Sequence, residues 1–350
     1  MHLLIIGGSP DHQGGVEAFC ERSAIALNRR GSHEIEYFAT GNAFMKLRGI
    51  PKLLRGLRHM LSYRGKQLDC VWVQYASLPD LIYAFVAKRA GFKVMITPHL
   101  GSNWRSQKVA ALRALSKWLL RSADRLALIS PTQELEIALP AGVPRSPIRN
   151  FLPAGILEGS MADLSQRPPD TLQIIHSGRL SEGKGTFMVV ELCARLKQAG
   201  KPFATTITGT ADEATMARLH AMIAQHGLQD DITVTGRVSE EALFGYLRGS
   251  DVLVHLSSID SYPLIVLEAT ACSVFPVCME LAGARDMVET YDGVIVSVDH
   301  AVDETVAALI DADVTELRAR AAQVATRVRA DYAWDNCARA LEQALKACVG

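Results

Sequence analysis

The amino-acid sequence predicts an α/β protein built from two doubly wound parallel sheets. Three observations carry this. Short apolar runs alternate with amphipathic stretches over most of the chain, which is the pattern of βαβ units. The alternation breaks at two proline-rich stretches, 140–155 and 166–170, and then restarts. At 350 residues the chain is long enough for two domains.

Taken in order, HLLIIGG (2–8) reads as a buried strand ending in glycines, and 14–31 has helical spacing with Val16, Phe19, Ala24 and Leu27 on one side. Strands are predicted at 34–40, 69–76, 92–99 and 125–130, with helices from Pro51, at 78–91 and at 104–121. The linker is placed between the two proline-rich stretches. Strands then follow at 172–180, 203–209, 232–236, 252–258 and 275–279, alternating with helices at 185–199, 212–227, 239–248 and 263–271. The tail 314–349 reads as helical, interrupted near Asp331–Trp334. The expected division is 1–155, 156–328 and a closing helix 329–350 that packs back on the first domain.

Hydrophobic residues make up 49% and charged residues 21%, which excludes disorder, collagen and a disulfide scaffold. No apolar run approaches the length of a spanning helix, and the start lacks the basic region of a leader. Seven scattered cysteines without a CxxC signal neither zinc nor a disulfide framework, so a cytoplasmic setting is expected.

The net charge of zero conceals an asymmetry. Residues 1–150 hold 21 Lys+Arg against 10 Asp+Glu, and residues 151–350 hold 16 against 27. A basic half suits an anionic partner, although two halves of opposite sign also attract each other. The run 45–66 has seven Lys+Arg and no acid. From Pro51 onward, Leu53, Leu54, Leu57, Met60 and Leu61 fall on one helical face, with Lys52, Arg55, Arg58 and His59 away from it, as in an interfacial helix. Arg113, Lys117 and Arg121 recur at steps of four, a like-charge spacing that an anionic surface would offset. Trp104 and Trp118 would anchor at headgroup depth. The competing reading is a core-packed helix with a solvated basic rim. Nucleic acid is not expected, because no RNA- or DNA-binding motif accompanies the charge.

Three segments carry chemistry. Gly14 and Gly15 stand between the first strand and first helix, where backbone amides can meet an anion or simply form a tight turn. No GxGxxG is present. GRLSEGKG (178–185) places Arg179 and Lys184 among Gly178, Gly183 and Gly185 at a helix start, which suits a diphosphate without the form of an ATP-hydrolysing loop. In SSIDSYPLIVLEATACS (257–273), Asp260 lies in a loop and Glu268 about a turn into a helix, two carboxylates able to accept sugar or ribose hydroxyls. The plain alternative is a solvated Asp260 and a Glu268 favoured by the helix dipole.

These landmarks, with the early GGVE loop, the strand-end glycines of ITG and VTG, and the WDNCARAL tail, resemble the retaining glycosyltransferases of the GT-B fold, family 4. The resemblance implies two Rossmann-like domains facing a central cleft. It implies that Arg179 and Lys184 contact a donor diphosphate, that Glu268 holds the ribose, that Asp260 faces the sugar, and that Leu264 lines the donor position. Gly14 and Gly15 would approach the phosphates from the other domain, and His99 would lie near the reacting sugar. The family usually has Glu where Asp260 stands and often Gly at Ser273.

The expected function is metal-independent, cofactor-free transfer of a sugar from a nucleotide-diphosphate sugar to a lipid-linked or glycan acceptor, at the inner face of an anionic membrane. Asp230 and Asp231 precede a strand and are poorly placed for a metal. Alternatives are a degenerate, sugar-nucleotide-binding scaffold, a nucleotide-sugar epimerase of the same fold, and a glycan phosphorylase, which the length disfavours.

Overall fold

A computed structural model describes residues 1–9, 14–31, 33–41, 50–159 and 161–350; the start of the basic run, 45–49, lies outside them. The chain divides into two compact units, one formed by 1–151 with 332–350, the other by 152–331.

The first unit contains β1 (His2–Ile6), α1 (Gly15–Arg29), β2 (Glu34–Phe38), α2 (Ile50–Leu61), β3 (Cys70–Tyr75), α3 (Asp80–Arg89), β4 (Val94–Pro98), α4 (Arg105–Lys108), α5 (Ala110–Leu120), β5 (Arg125–Leu128), α6 (Gln133–Glu136) and β6 (Arg145–Pro147). The second contains α7 (Ala154–Leu157), β7 (Leu172–Ser177), α8 (Thr186–Gln198), β8 (Phe203–Thr208), α9 (Glu213–Gln225), β9 (Ile232–Gly236), α10 (Glu240–Arg248), β10 (Val252–His255), α11 (Leu264–Ala271), β11 (Phe275–Met279), α12 (Ala282–Thr290), β12 (Val294–Val296), α13 (Ala301–Ile310) and α14 (Val314–Asp331). The last helix, α15 (Trp334–Val349), returns to the first unit.

The first sheet has strand order β2-β1-β3-β4-β5-β6, the second β12-β11-β10-β7-β8-β9, and neighbouring strands run parallel. Parallel strands covered on both faces read as continuous apolar runs. β3 shows this: all six residues of CVWVQY are buried, and Gln74 is polar among them. The strand order reverses between β1 and β3 in the first sheet and between β7 and β10 in the second. Ligands of open α/β sheets sit outside the strand carboxyl ends at such a reversal.

Several readings need correction. The predicted helix 104–121 is interrupted at Val109, whose backbone is extended (φ −87, ψ 117). The preceding turn is tied elsewhere, because the buried Gln107 Oε1 accepts from Ala138 N at 3.1 Å. Within the first proline-rich stretch, Arg145–Pro147 forms the edge strand β6 beside β5, an edge being where a sheet tolerates proline. The segments α12, β12 and α13 had no assignment from periodicity.

The leucine face of α2 is divided. Leu53 and Met60 are buried in the core and Leu57 packs on it, whereas Leu54 is 59% and Leu61 37% exposed. Gly56 admits the ring of Tyr83 from α3, since a Cβ there would stand 2.2 Å from its hydroxyl oxygen. α2 is therefore a core helix with two leucines left outside. Lys52, Arg55 and Arg58 are exposed, as are Arg113, Lys117 and Arg121. Trp118 is 49% exposed, but Trp104 packs on the core and is unavailable as a headgroup anchor. Among the described residues no helix is long and apolar enough to cross a membrane.

Ion pairs hold α15 to the first unit: Glu342 meets Arg30 Nε at 3.3 Å and His33 Nε2 at 2.8 Å, and Arg30 also reaches Asp335. In the second unit, Asp251 is fully buried at the amino end of β10. It accepts from Arg318 Nε at 2.7 Å, Arg318 Nη2 at 3.0 Å, Arg167 Nη1 at 3.2 Å and Gln173 N at 2.9 Å.

Candidate functional site

In the second unit the loops leaving β7 and β10 meet at the strand-order reversal. Gly178 follows β7 with φ +152, Arg179 is exposed, and a single 3-10 turn, Glu182–Lys184, precedes α8. Gly185 has φ +75, and a Cβ there would lie 2.2 Å from Leu256 O. Only glycine lets the two loops approach this closely. Gly183 O accepts from Ser258 N at 2.9 Å, which fastens one loop to the other.

That approach joins Lys184 to Asp260. Lys184 Nζ pairs with Asp260 Oδ1, and His255 Nε2 lies 2.9 Å from Asp260 Oδ2. Asp260 N also donates to Ser257 Oγ at 3.3 Å. Burial works to raise the Asp260 carboxyl, but the hydrogen bond and charge of His255, together with Lys184, hold it well below the usual carboxylate range. Beneath this group His176 sits between Val254 O (3.0 Å) and Thr186 Oγ1 (3.2 Å), and burial lowers its pKa to about 4.

Sequence reasoning thus placed Lys184 and Asp260 in one site, and the structure adds their direct contact. It missed His255, a buried residue at the end of β10 whose only signal was its position in a strand ending in VLVH. Leu264 opens α11 and Glu268 lies a turn further along it, both half-buried.

In the first unit Gly14 caps α1 and Gly15 begins it, and both are exposed. Glu17 bends back to this end, accepting from Ser9 N at 2.7 Å and Gly14 N at 3.1 Å. The Ser9 and Gly14 amides are therefore held by the chain's own carboxylate. His99 follows β4, its N–H donating to Tyr75 O at 2.8 Å and its Nε2 lying 2.8 Å from Gln74 Oε1. Burial lowers the His99 pKa to about 3, so its imidazole is neutral at ordinary pH. The loop after β3 is fixed by the buried Asp80, which accepts from Ser77 N at 2.7 Å and Ala76 N at 3.1 Å.

Residues 163–328 match the family Glycosyl transferases group 1, and residues 34–153 match Glycosyl transferase 4-like domain. Among curated relatives, the chain is 22% identical over 258 residues to a subunit of phosphatidylinositol N-acetylglucosaminyltransferase from Arabidopsis thaliana, covering 73% of this chain and 56% of the relative. It is 27% identical over 183 residues to a D-inositol 3-phosphate glycosyltransferase of an Arthrobacter species, covering 51% of this chain and 40% of the relative. A 31% identity over 124 residues links it to an amylovoran biosynthesis glycosyltransferase of Erwinia amylovora, over 34% of this chain and 30% of that protein. The matches span little more than half of these relatives at most.

Among solved structures, sucrose-phosphate synthase from Thermosynechococcus elongatus superposes with a TM-score of 0.76 at 18% identity, covering 98% of this chain and 97% of that one. Anabaena HepE in complex with UDP and glucose gives 0.74 at 14% identity, covering 98% and 99%. With two Rossmann-like units and family matches that cover both, the chain belongs to the GT-B-fold glycosyltransferases of glycosyl transferase group 1.

Proposed function

We propose that the protein transfers a sugar, with retention and without a metal, from a nucleoside-diphosphate sugar to a lipid-linked or glycan acceptor. The observation that carries this is the linked Lys184–Asp260–His255 group at the reversal of the second sheet. Lys184 and the exposed Arg179 present two cations to the leaving diphosphate, whose negative charge grows as the glycosidic bond breaks. Glu268 holds the ribose, Asp260 faces the donor sugar, and His99 faces the reacting sugar. HepE, crystallised with UDP and glucose, supports a nucleotide-sugar donor. The similar plant phosphatidylinositol N-acetylglucosaminyltransferase subunit and amylovoran biosynthesis glycosyltransferase support lipid or polysaccharide acceptors. A donor panel in a thermal-shift assay tests the reading: a ligand at 100 times its dissociation constant should add about 2.7 kcal/mol. No shift with any nucleotide or nucleotide sugar would overturn it.

One observation favours a second reading, a sugar-nucleotide-binding scaffold: both Asp260 oxygens already have partners in Lys184 and His255. Asp260→Ala separates the two. The transferase should lose most donor turnover, and Asp260→Glu should change donor preference. A donor profile unchanged in Asp260→Ala removes this residue from the site.

We further propose that the exposed basic residues of α2 and α5, with Leu54, Leu61 and Trp118, dock on an anionic membrane. Each basic residue near such a surface contributes about 1 kcal/mol. Replacing Lys52, Arg55 and Arg58 together by Gln is therefore expected to weaken vesicle binding by up to roughly 3 kcal/mol, and by less in high salt. Flotation with anionic and neutral liposomes measures it. Equal flotation of the triple variant would leave the basic face as a solvated rim.

A further inference from the structure

At the carboxyl edge of the first sheet, Gln74 occupies the centre of the β1–β3 reversal. It is fully buried, and a Cβ on neighbouring Gly7 (φ +149) would stand 2.5 Å from its Cβ, so the backbone of β1's end closes on the base of its side chain. Its Oε1 faces His99 Nε2, but its own Nε2 has no hydrogen-bond partner among the described residues. A buried amide donor left unmade costs about 1–3 kcal/mol. A fold that leaves one at the edge where ligands bind has a donor ready for an incoming oxygen. The ring of Phe19 stands edge-on to His99 with centroids 5.1 Å apart, which limits reorientation of the imidazole.

We propose that Gln74 is a positioning residue for the transfer: its Oε1 takes the Nε2 proton of His99, leaving Nδ1 as a bare acceptor, while its spare N–H donates to a substrate oxygen. The proposal rests on the reading in which His99 faces the reacting sugar. A neutral imidazole has one donor and one acceptor nitrogen, and the bond made by one fixes the role of the other. With Nε2–H committed to Gln74, His99 can only accept from a ligand. Its partner must then be a donor, which a sugar or acceptor hydroxyl is and a phosphate oxygen is not. A hydroxyl can also accept, which matches the spare N–H of Gln74. The pair is thus built to recognise a hydroxyl rather than the diphosphate.

Long-range 1H–15N spectra of the histidine rings test this on the full chain, with His99→Gln assigning the signal. The wild type should show the Nε2–H tautomer. Gln74→Leu should mix the tautomers and lower kcat roughly 10–100-fold, while KM for the donor changes little, because misorientation acts on the reacting geometry. Gln74→Glu should restore the tautomer but not the amide donor, so activity returns in part. It also keeps the test alive if Gln74→Leu does not fold. An Nδ1–H tautomer in a protein that transfers sugar normally would overturn the proposal alone. The Nε2–H tautomer in a protein that neither binds nor turns over any donor would overturn the transferase reading on which it rests.

Discussion

Lys184→Ala is expected to lower sugar transfer by a hundredfold or more while leaving the second unit folded. Lys184 Nζ is half-buried against Asp260, so its charge is already fixed before a diphosphate arrives, and a preorganised charge loses little to reorganisation. Arg179 is exposed, so Arg179→Ala should cost less. The pairing also predicts non-additivity. Once Asp260 has been replaced by Ala, removing Lys184 should cost less than it does in the wild type, because the two act as a unit. Steady-state kinetics of the two single variants and the double variant, with circular dichroism as the folding control, decides it. Near-normal turnover in both Lys184→Ala and Arg179→Ala would remove the diphosphate assignment.

Asp251→Ala is expected to be the most destabilising single change in the second unit. It would strand two buried guanidinium groups, those of Arg167 and Arg318, and unpair Gln173 N at the start of β7. Removing one partner of a buried ion pair costs about 3–5 kcal/mol, because the remaining charge stays out of water. Arg167 cannot easily relax outward: it also donates to the carbonyls of Arg248, Ser273 and Cys272. For a unit of this size, each kcal/mol shifts Tm by roughly 2–4 °C, so a fall of about 6–20 °C is expected. Asp251→Asn, which keeps the shape and part of the hydrogen bonding, should fall less. Calorimetry on the three proteins is the measurement, and a fall of under about 3 °C in Asp251→Ala would show that the cations are otherwise accommodated.

The sequence by itself determined the alternation of strands and helices, because a parallel strand covered on both faces must be apolar and a covering helix must be amphipathic. CVWVQY and VLVH are strands for that reason, and the break in the tail at 332–333 separates α14 from α15 as periodicity indicated. The glycines of GRLSEGKG were legible too, since a turn that crowds Leu256 O at a positive φ tolerates little else. Tertiary structure alone decided which side chains meet. Gln74 and His99 are 25 residues apart, and Asp251 and Arg318 are 67 apart. Hydrogen bonds over such separations leave no local period to read. It also decided how much of an apolar stripe is covered. The sequence of α2 offered five apolar residues on one face, but burial depends on the neighbour, and α3 with the core takes Leu53, Leu57 and Met60 while Leu54 and Leu61 stay outside. Likewise, periodicity could show that Gly14 and Gly15 open a helix. It could not show that Glu17 would fold back onto the amides there, because Ser9 N and Gly14 N come to the same carboxylate only in the folded chain.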